Sequence, residues 1–395
     1  GLAGSGHGPF QQVDWGQTSS GSWSSMILEE DDEPREIIPT PIPSPSHPTL
    51  QLITQRAAQR SMPGARKDEF KLGLVVEGGG MRGIVSGAMC LALNALGLRN
   101  CFDAVYGASA GAINLSYFLS GQDFGLKIYT EDLNDSRFLN YARTFRGKPI
   151  MDLGYLIDHV MQQVKPLDFQ AVMDSPIPLK VVASSLDKLR PVLLEGWHSR
   201  ADIVEALKAS SWIPRIAGPP RVFRGHSLVD AAVFEPVPVM SAINDGCTHV
   251  LVLCTRPAKR RKGTWRRLVR GHMTIIVKNT VLDAPYLRAA WKSEMSSDKV
   301  LDNVDDELLE TLCQPEESRK RLGGFVLPCF PSNVAGCIPV TTNVRVLKAA
   351  EMQGWKAVAS LLAAEHVLPH LNQSLLGSYG PSHDVSDLYI DELLS

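Results

Sequence analysis

Two glycine-containing motifs carry the residues of this sequence that could do chemistry. The first, GGGMRG at residues 78–83, has the G-x-G-x-x-G spacing of a dinucleotide-binding loop. The second, GASAG at residues 107–111, centres on Ser109, whose hydroxyl can act as a nucleophile when a base lies beside it. A lone G-x-G-x-x-G is a weak signal. The elements around both motifs must therefore decide between nucleotide binding and acyl chemistry.

Both motifs lie between a predicted strand and a predicted helix. LGLVVE at 72–77 is a short apolar run typical of a buried strand, and the segment after the glycines has helical spacing up to Gly97. CFDAVYGAS predicts a second strand and AGAINLSYFLSG a second helix. Because parallel strands of the same sense end at one edge of a sheet, we expect residues 78–83 and Ser109 to be neighbours.

The position of the second motif argues against a nucleotide site. A dinucleotide-binding fold needs Asp or Glu at the end of its second strand, about 20 residues after the glycines. Asp103 has roughly that distance, but it precedes the strand AVYG, which ends in Gly107, Ala108 and Ser109. Small residues at Gly107 and Gly111 allow the sharp turn that lifts a serine hydroxyl above the sheet edge. A nucleotide-binding oxidoreductase therefore remains only a distant alternative.

The glycine loop (residues 78–83) then has a different use. Gly78, Gly79 and Gly80 could aim backbone N–H groups at an oxyanion beside Ser109, because glycine has no side chain to block that approach. The N-terminus of the following helix would point its free N–H groups and positive dipole end at the same place. Each such donor can contribute roughly 3 kcal/mol in the transition state. We therefore predict an oxyanion hole here.

With these motifs in place, the sequence resembles the patatin-like phospholipase family, firmly over about residues 70–255. The family signature is a G-G-G-x-R/K-G loop, then G-x-S-x-G, then an Asp-Gly pair. This chain has GGGMRG, GASAG and, within LVDAAVFEPVPV, Asp230 in that order. VLPCFPSN at 326–333 and the helical segment around 352–362 look like a bacterial-type subgroup. The resemblance implies an α/β protein with the three-layer α/β/α patatin-like fold and a mostly parallel central sheet.

The resemblance also implies a hydrolase of lipid acyl esters with a Ser-Asp dyad. Ser109 would attack the ester carbonyl and Asp230 would act as the general base without a histidine, through an acyl-enzyme that water hydrolyses. The amides of the glycine loop and of Ala110 would hold the oxyanion. Arg82 would either stabilise the loop or meet a lipid headgroup. No cofactor and no metal ion is implied.

One position departs from the family pattern, because Asp230 is followed by Ala231 and Ala232 instead of glycine. If the backbone there needs φ > 0, alanine would be strained by about 1–2 kcal/mol. We expect altered geometry rather than lost activity. An acyltransferase with the same dyad and a non-catalytic lipid-binding protein of the same fold stay as alternatives. So does a histidine base in the order of α/β-hydrolases, for which His249 and His272 follow Asp230.

A basic segment follows the last firmly matching strand. Residues 256–270 read RPAKRRKGTWRRLVR, in which eight of fifteen residues are Lys or Arg. The segment could be a solvated loop, a contact to anionic lipid headgroups, or a nucleic-acid or localisation patch. The lipid-hydrolase resemblance favours an anionic membrane surface, because the substrate stays in a bilayer. The net charge of −2 argues against a nucleic-acid partner for the whole molecule.

Composition indicates an ordinary globular protein with loose ends. At 44% hydrophobic and 21% charged residues, a chain of 395 residues can bury a full core. We predict a disordered Pro/Ser/Gly-rich tail at 1–49, a lead-in helix or linker at 50–70, the catalytic domain at 71–367 and a polar tail at 368–395. Scattered cysteines and the lack of a long apolar run predict an intracellular protein, cytoplasmic or organellar, peripheral at membranes. No pattern indicates an oligomeric state.

Overall fold

The computed structural model describes residues 47–146, 149–213, 217, 220–258 and 314–363. Within them, eight strands form a single sheet. The strands are β1 Leu72–Val76, β2 Ala104–Ala108, β3 Leu179–Ser185, β4 Arg190–Leu194, β5 Arg221–Phe223, β6 His226–Val229, β7 His249–Leu253 and β8 Phe325–Cys329. Hydrogen-bonded neighbours link them in the path β5-β6-β3-β2-β1-β7-β8, and β4 also pairs with β3.

Helices and helical turns connect these strands. The α-helices are α1 Pro48–Ala58, α2 Gly83–Ala95, α3 Ala110–Ser120, α4 Phe169–Met173, α5 Arg200–Ser211, α6 Val239–Asn244, α7 Pro315–Leu322 and α8 Val344–Ala363. Short 3-10 segments lie at Gly80–Arg82, Arg99–Cys101, Asp123–Lys127, Tyr141–Arg146 and Ala231–Val233, and π-helical segments at Ile128–Asp132 and Tyr155–Val164. No helix among the described residues is both long and apolar enough to cross a membrane.

The central strands β3, β2, β1, β7 and β8 run parallel, and helices cover both of their faces. Leu72, Leu74 and Val76 of β1 belong to a core formed with α1, α2, α3, α5 and α8. Val75 points the other way, into a second core formed with α6. Because both faces are covered, every residue of β1 is buried and the strand is an unbroken apolar run. The predicted α/β class with a mostly parallel central sheet is confirmed.

Strand β3 brings the ends of β2 and β6 together, because both strands pair with it. β4 pairs antiparallel with residues 181–185 of β3 along one edge. Because a strand has only two edges, β2 and β6 must share the other edge, where they pair with residues 179–182 and 184–185 respectively. β2 is parallel to β3 and ends at Ala108, whereas β6 is antiparallel and ends at Val229. The two strand ends therefore face each other along one edge of β3.

Helix α1 is joined to the opposite end of the sheet by a buried ion-pair group. The Arg56 side chain is fully buried and donates to Asp68 and Asp103 at 2.6 Å each. Asp103 also accepts from Arg66 and from the N–H of Leu72, where β1 begins. Asp103, whose distance from the glycines is roughly that of a nucleotide-binding acid, therefore ties α1 to the start of β1.

Most predicted strands and helices agree with the structure to within a few residues, but the start of α1 differs from the predicted boundary. α1 begins at Pro48, inside the segment assigned to the disordered tail, so the predicted boundary at residue 50 comes too late. The rest of that tail and the predicted C-terminal tail at 368–395 lie outside the described residues. The turns between residues 123 and 164 were not predicted. The segments at 123–132 are too short to show an apolar period, whereas Tyr155–Val164 has one, with Leu156, Ile157, Val160 and Met161 buried, and was missed.

Candidate active site

Ser109 lies on the turn between β2 and α3 with φ 52° and ψ −124°. A non-glycine residue at such angles is strained, and close packing around the turn holds it there. A Cβ at Gly107 would overlap Ala112, and a Cβ at Gly111 would overlap the carbonyl of Val76. Both glycines of the GASAG motif are therefore required by the close approach of neighbouring backbone.

Ser210, near the end of α5, also fixes this turn. The Ser109 N–H donates to the Ser210 hydroxyl at 2.8 Å, and that hydroxyl donates to the carbonyl of Val182 in β3 at 2.5 Å. The bond occupies the N–H of Ser109, so this amide is not available to an oxyanion. Sequence analysis gave Ser210 no role. Its only signal is a small hydroxyl residue near a helix end, which many helices share.

Asp230 follows β6 and lies beside Ser109 where the ends of β2 and β6 meet. It is 2% exposed, and its Oδ1 accepts from the N–H of Ala232 at 2.7 Å. Its Oδ2 is buried and accepts no hydrogen bond of normal geometry from any described residue. Burial raises the pKa of Asp230 to about 6, while the Ala232 N–H and the nearby Ser109 hydroxyl act to lower it. The structure thus brings the predicted nucleophile and the predicted base together.

The two alanines after Asp230 introduce no backbone strain. Ala231 begins the 3-10 segment, and neither Ala231 nor Ala232 has a positive φ. Ala231 is completely buried, and its carbonyl accepts a hydrogen bond from Ser184 of β3 at 3.3 Å. The strain considered for an alanine at this position does not arise, because the backbone after Asp230 is helical.

The glycine loop lies directly against Ser109. A Cβ at Gly78 would come within 2.7 Å of the carbonyl oxygen that precedes Ser109 and within 2.9 Å of the Ser109 Cβ. In the described part of the chain, no acceptor takes the N–H groups of Gly78, Gly79, Gly80 or Ala110. These four amides, the predicted oxyanion donors, are therefore available for a ligand.

Residues that follow β7 and β8 hold the glycine loop in place. The Thr255 hydroxyl donates to the Gly78 carbonyl at 3.1 Å and accepts from Arg82 Nε at 3.3 Å. The N–H of Met81 donates to the carbonyl of Pro339 at 2.9 Å. Of the two roles predicted for Arg82, this contact supports stabilisation of the loop. Thr255 and Pro339 were missed. The signal for Thr255 was its position at a strand end, on the sheet edge that Ser109 shares.

The histidine alternative finds no support in the position of His249. This residue begins β7 and pairs with Leu72 at the start of β1, so it lies at the opposite end of the sheet from the Ser109 turn. Its ring packs against Phe70. Burial lowers the pKa of His249 to about 4, which keeps it neutral near pH 7. His272 lies outside the described residues.

Gly78→Ala is expected to lower the activity of the site without unfolding the protein. The added Cβ would meet a carbonyl oxygen at 2.7 Å, so the glycine loop must move away from Ser109. We expect a decrease in kcat of roughly 10²-fold, the loss typical of one oxyanion donor. Gly154→Ala is the matched control, because its Cβ would meet only the ends of the Asp152 and Asp158 side chains, at 3.3 Å and 3.6 Å. Unchanged kcat in Gly78→Ala would contradict the predicted oxyanion hole.

Comparison with known proteins agrees with the sequence motifs. Residues 74–243 match the family model described as patatin-like phospholipase, which confirms the resemblance. The uncharacterized protein YjjU of Escherichia coli (strain K12) is 28% identical over 194 residues, covering 48% of this chain and 53% of that protein. The 1-acylglycerol-3-phosphate O-acyltransferase Pnpla3 of Mus musculus is 27% identical over 162 residues, covering 40% of this chain and 38% of that protein.

The alignments therefore span about half or less of the length of these curated relatives. Among solved structures, the crystal structure of VipD from Legionella pneumophila aligns with a TM-score of 0.38 and 14% identity. That alignment covers 78% of this chain and 73% of the other.

Proposed function

We propose that this chain, which carries a patatin-like phospholipase domain at residues 74–243, is a lipid acyl hydrolase of the phospholipase A or lysophospholipase kind. Ser109 and Asp230 would form its catalytic dyad. The observation that carries the proposal is the position of Asp230, a buried carboxylate beside the Ser109 hydroxyl whose Oδ2 accepts no hydrogen bond of normal geometry within the described part of the chain. Burial raises the pKa of this carboxylate to about 6. Such a group is mostly ionised at pH 7, yet it is basic enough to accept a proton in the transition state.

In the proposed reaction, Ser109 Oγ bonds to the ester carbonyl carbon as its proton passes to Asp230. The carbonyl oxygen gains the negative charge, which the amides of the glycine loop and of Ala110 stabilise. Collapse breaks the bond to the alcohol, which leaves with the proton from Asp230 and gives acyl-Ser109. Water then attacks this ester and transfers a proton to Asp230. The bond to Ser109 Oγ breaks, Asp230 returns the proton to Ser109, and the fatty acid is released.

An acyltransferase with the same dyad is the second candidate. The observation in its favour is the name of the mouse relative, a 1-acylglycerol-3-phosphate O-acyltransferase. If an alcohol reached the acyl-enzyme before water, the same residues would transfer the chain. A non-catalytic lipid-binding protein is less favoured, because the Ala231–Ala232 departure that motivated it leaves the backbone unstrained.

The test is release of fatty acid from vesicles of phospholipid, lysophospholipid or galactolipid, with and without 1-acylglycerol-3-phosphate as acceptor. Hydrolysis predicts free fatty acid, and labelling of Ser109 by a fluorophosphonate probe. A diacyl product formed at the expense of fatty acid would favour the transferase. Neither product, together with no labelling of the wild-type protein, would contradict both candidates and leave the binding protein.

We also propose that the basic segment at 256–270 contacts anionic lipid. All but its first three residues lie outside the described ones, so its charge carries the proposal. Each basic residue near an anionic surface adds about 1 kcal/mol of binding. Replacing Lys259, Arg260, Arg261 and Lys262 with Gln should weaken binding to phosphatidylserine vesicles by 10-fold or more, as a rough estimate, but leave neutral vesicles unaffected.

The matched control for this prediction replaces the basic residues 319–321 of α7 with Gln. These residues lie near the start of β8, at the end of the sheet away from Ser109. Sedimentation of vesicles at two salt concentrations measures both variants, because binding by surface charge weakens as salt rises. Equal binding by the 259–262 variant and the wild type would contradict a membrane role for the segment.

A further inference from the structure

Thr255, which lies beyond the matched family domain, sits in one row with the glycine loop and the nucleophile. In the sheet, Val76 of β1 pairs with Gly107 of β2 on one side and with Leu253 of β7 on the other. Ser109 and Thr255 each come two residues after these partners, and Gly78 comes two residues after Val76. The glycine loop therefore lies between the two hydroxyl residues, with Ser109 on the β2 side and Thr255 on the β7 side.

The Thr255 hydroxyl sets the orientation of one peptide group. It donates to the Gly78 carbonyl at 3.1 Å, and the peptide between Gly78 and Gly79 is trans. In a planar trans peptide the C=O and the following N–H point in opposite directions. A carbonyl drawn toward Thr255 therefore turns the Gly79 N–H away from β7, toward the strand that carries Ser109. Glycine leaves this peptide little steric resistance to rotation, so an external bond must fix it.

Thr255 itself is fixed by a buried carboxylate. Its N–H donates to Glu77 Oε2 at 2.6 Å, and Glu77 is 3% exposed. Arg256 pairs with the other oxygen of Glu77 at 2.8 Å. Arg82, near the end of the glycine loop, donates to the Thr255 hydroxyl at 3.3 Å. With Arg82 as its donor, the hydroxyl directs its own proton to the Gly78 carbonyl.

We propose that Thr255 is a positioning residue, which orients the Gly79 N–H toward the oxyanion formed on the Ser109 ester. This role rests on the proposed hydrolase function and adds a residue to the same site. It makes the oxyanion hole depend on a residue outside the segment at 74–243 that matches the family model. Thr255 touches no reacting atom, so its loss should change the rate of the chemical step and leave substrate binding unchanged.

The test compares Thr255→Val with Thr255→Ser and Thr248→Val. Valine keeps the branched shape and removes the hydroxyl, whereas serine restores the hydroxyl. Thr248 is the matched control. Its hydroxyl also donates a hydrogen bond to a backbone carbonyl, that of Lys71 just before β1, but at the end of the sheet opposite to Ser109. Each full-length variant is assayed for kcat and KM on a soluble ester and for its rate of inactivation by a fluorophosphonate, after titration of active sites.

Thr255→Val is expected to lower kcat and the inactivation rate together by roughly 10-fold or more, with KM within about twofold of wild type. Thr255→Ser should recover most of both rates, and Thr248→Val should match wild type. If the wild-type protein hydrolyses the ester but Thr255→Val has the same kcat and inactivation rate as Thr248→Val, the positioning role is wrong. The proposed hydrolase function would then be unaffected. If wild-type protein neither turns over ester nor reacts with the probe, the proposed function fails, and this role fails with it.

Discussion

Ser109→Ala is expected to lower kcat for ester hydrolysis by about 10³-fold or more, and Asp230→Asn by a similar factor. Alanine keeps the Cβ, so the strained turn at φ 52° is preserved while the nucleophile is lost. Asparagine can keep the hydrogen bond from Ala232, but its amide cannot accept the Ser109 proton. Because the two residues would act as a unit, the double variant should be no slower than the slower single variant.

The pH dependence of the wild-type protein provides an internal check on this prediction. Asp230 must be ionised to accept the proton, and its pKa is about 6. Below that pH, kcat/KM should fall tenfold for each pH unit, whereas it should be flat between pH 7 and 8. Initial rates on a soluble ester from pH 4.5 to 8 measure the profile. A rate that stays constant down to pH 4.5 would contradict a base whose pKa is near 6.

Asp230→Asn is also expected to make the protein more stable at pH 8 by about 3 kcal/mol in free energy of unfolding. Burial raises the pKa of Asp230 from 3.8 to about 6, so the folded state binds a proton more tightly than the unfolded state does. The contribution of this group to stability is therefore present below about pH 4 and is lost as the pH rises through about 6. Asparagine carries no charge and avoids that loss.

Urea unfolding of wild type and Asp230→Asn at pH 4 and pH 8 tests this second prediction. The difference between the two proteins should be large at pH 8 and small at pH 4, where Asp230 is neutral in the folded wild type. The two proteins must be compared with each other, because Glu235 also makes stability depend on pH: burial raises its pKa to about 7. Glu235 is present in both proteins, so its contribution cancels in the difference between them. Asp174→Asn, at an exposed carboxylate, should change neither value. Equal stability at pH 8 would show that Asp230 is not held as a buried charge.

The order of elements and the position of Ser109 were predictable because they depend on local signals. Apolar runs and small-residue turns encode β1, β2 and the helices that follow them, and parallel strands must end at one edge of the sheet. Asp230 was found through the resemblance. Its meeting with Ser109 depends on β6 sharing an edge of β3 with β2, a pairing between residues more than 40 positions apart that no local pattern contains.

The contacts that hold the site were harder to predict for the same reason. Ser210 and Ser109 are separated by about a hundred residues in the sequence, and Thr255 and Gly78 by 177. Pro339, which contacts the glycine loop, comes after the basic segment in the sequence. Each is an ordinary residue at the end of an ordinary element. Their roles come from tertiary packing, which a motif in one stretch of sequence does not describe. The same holds for α1, whose buried Arg56 is recognisable only beside Asp68 and Asp103.

The short pairing of β6 with β3 makes the site sensitive to register. Only residues 184 and 185 of β3 pair with β6, and the hairpin turn at Arg224–Gly225 joins β6 to β5. A slip of two residues would leave every side chain on its own face of the sheet, yet it would move Asp230 about 7 Å along β3. Such a slip would separate Asp230 from Ser109 and still leave the apolar faces of the sheet buried, so the geometry of the site depends on a register that two residue pairs hold.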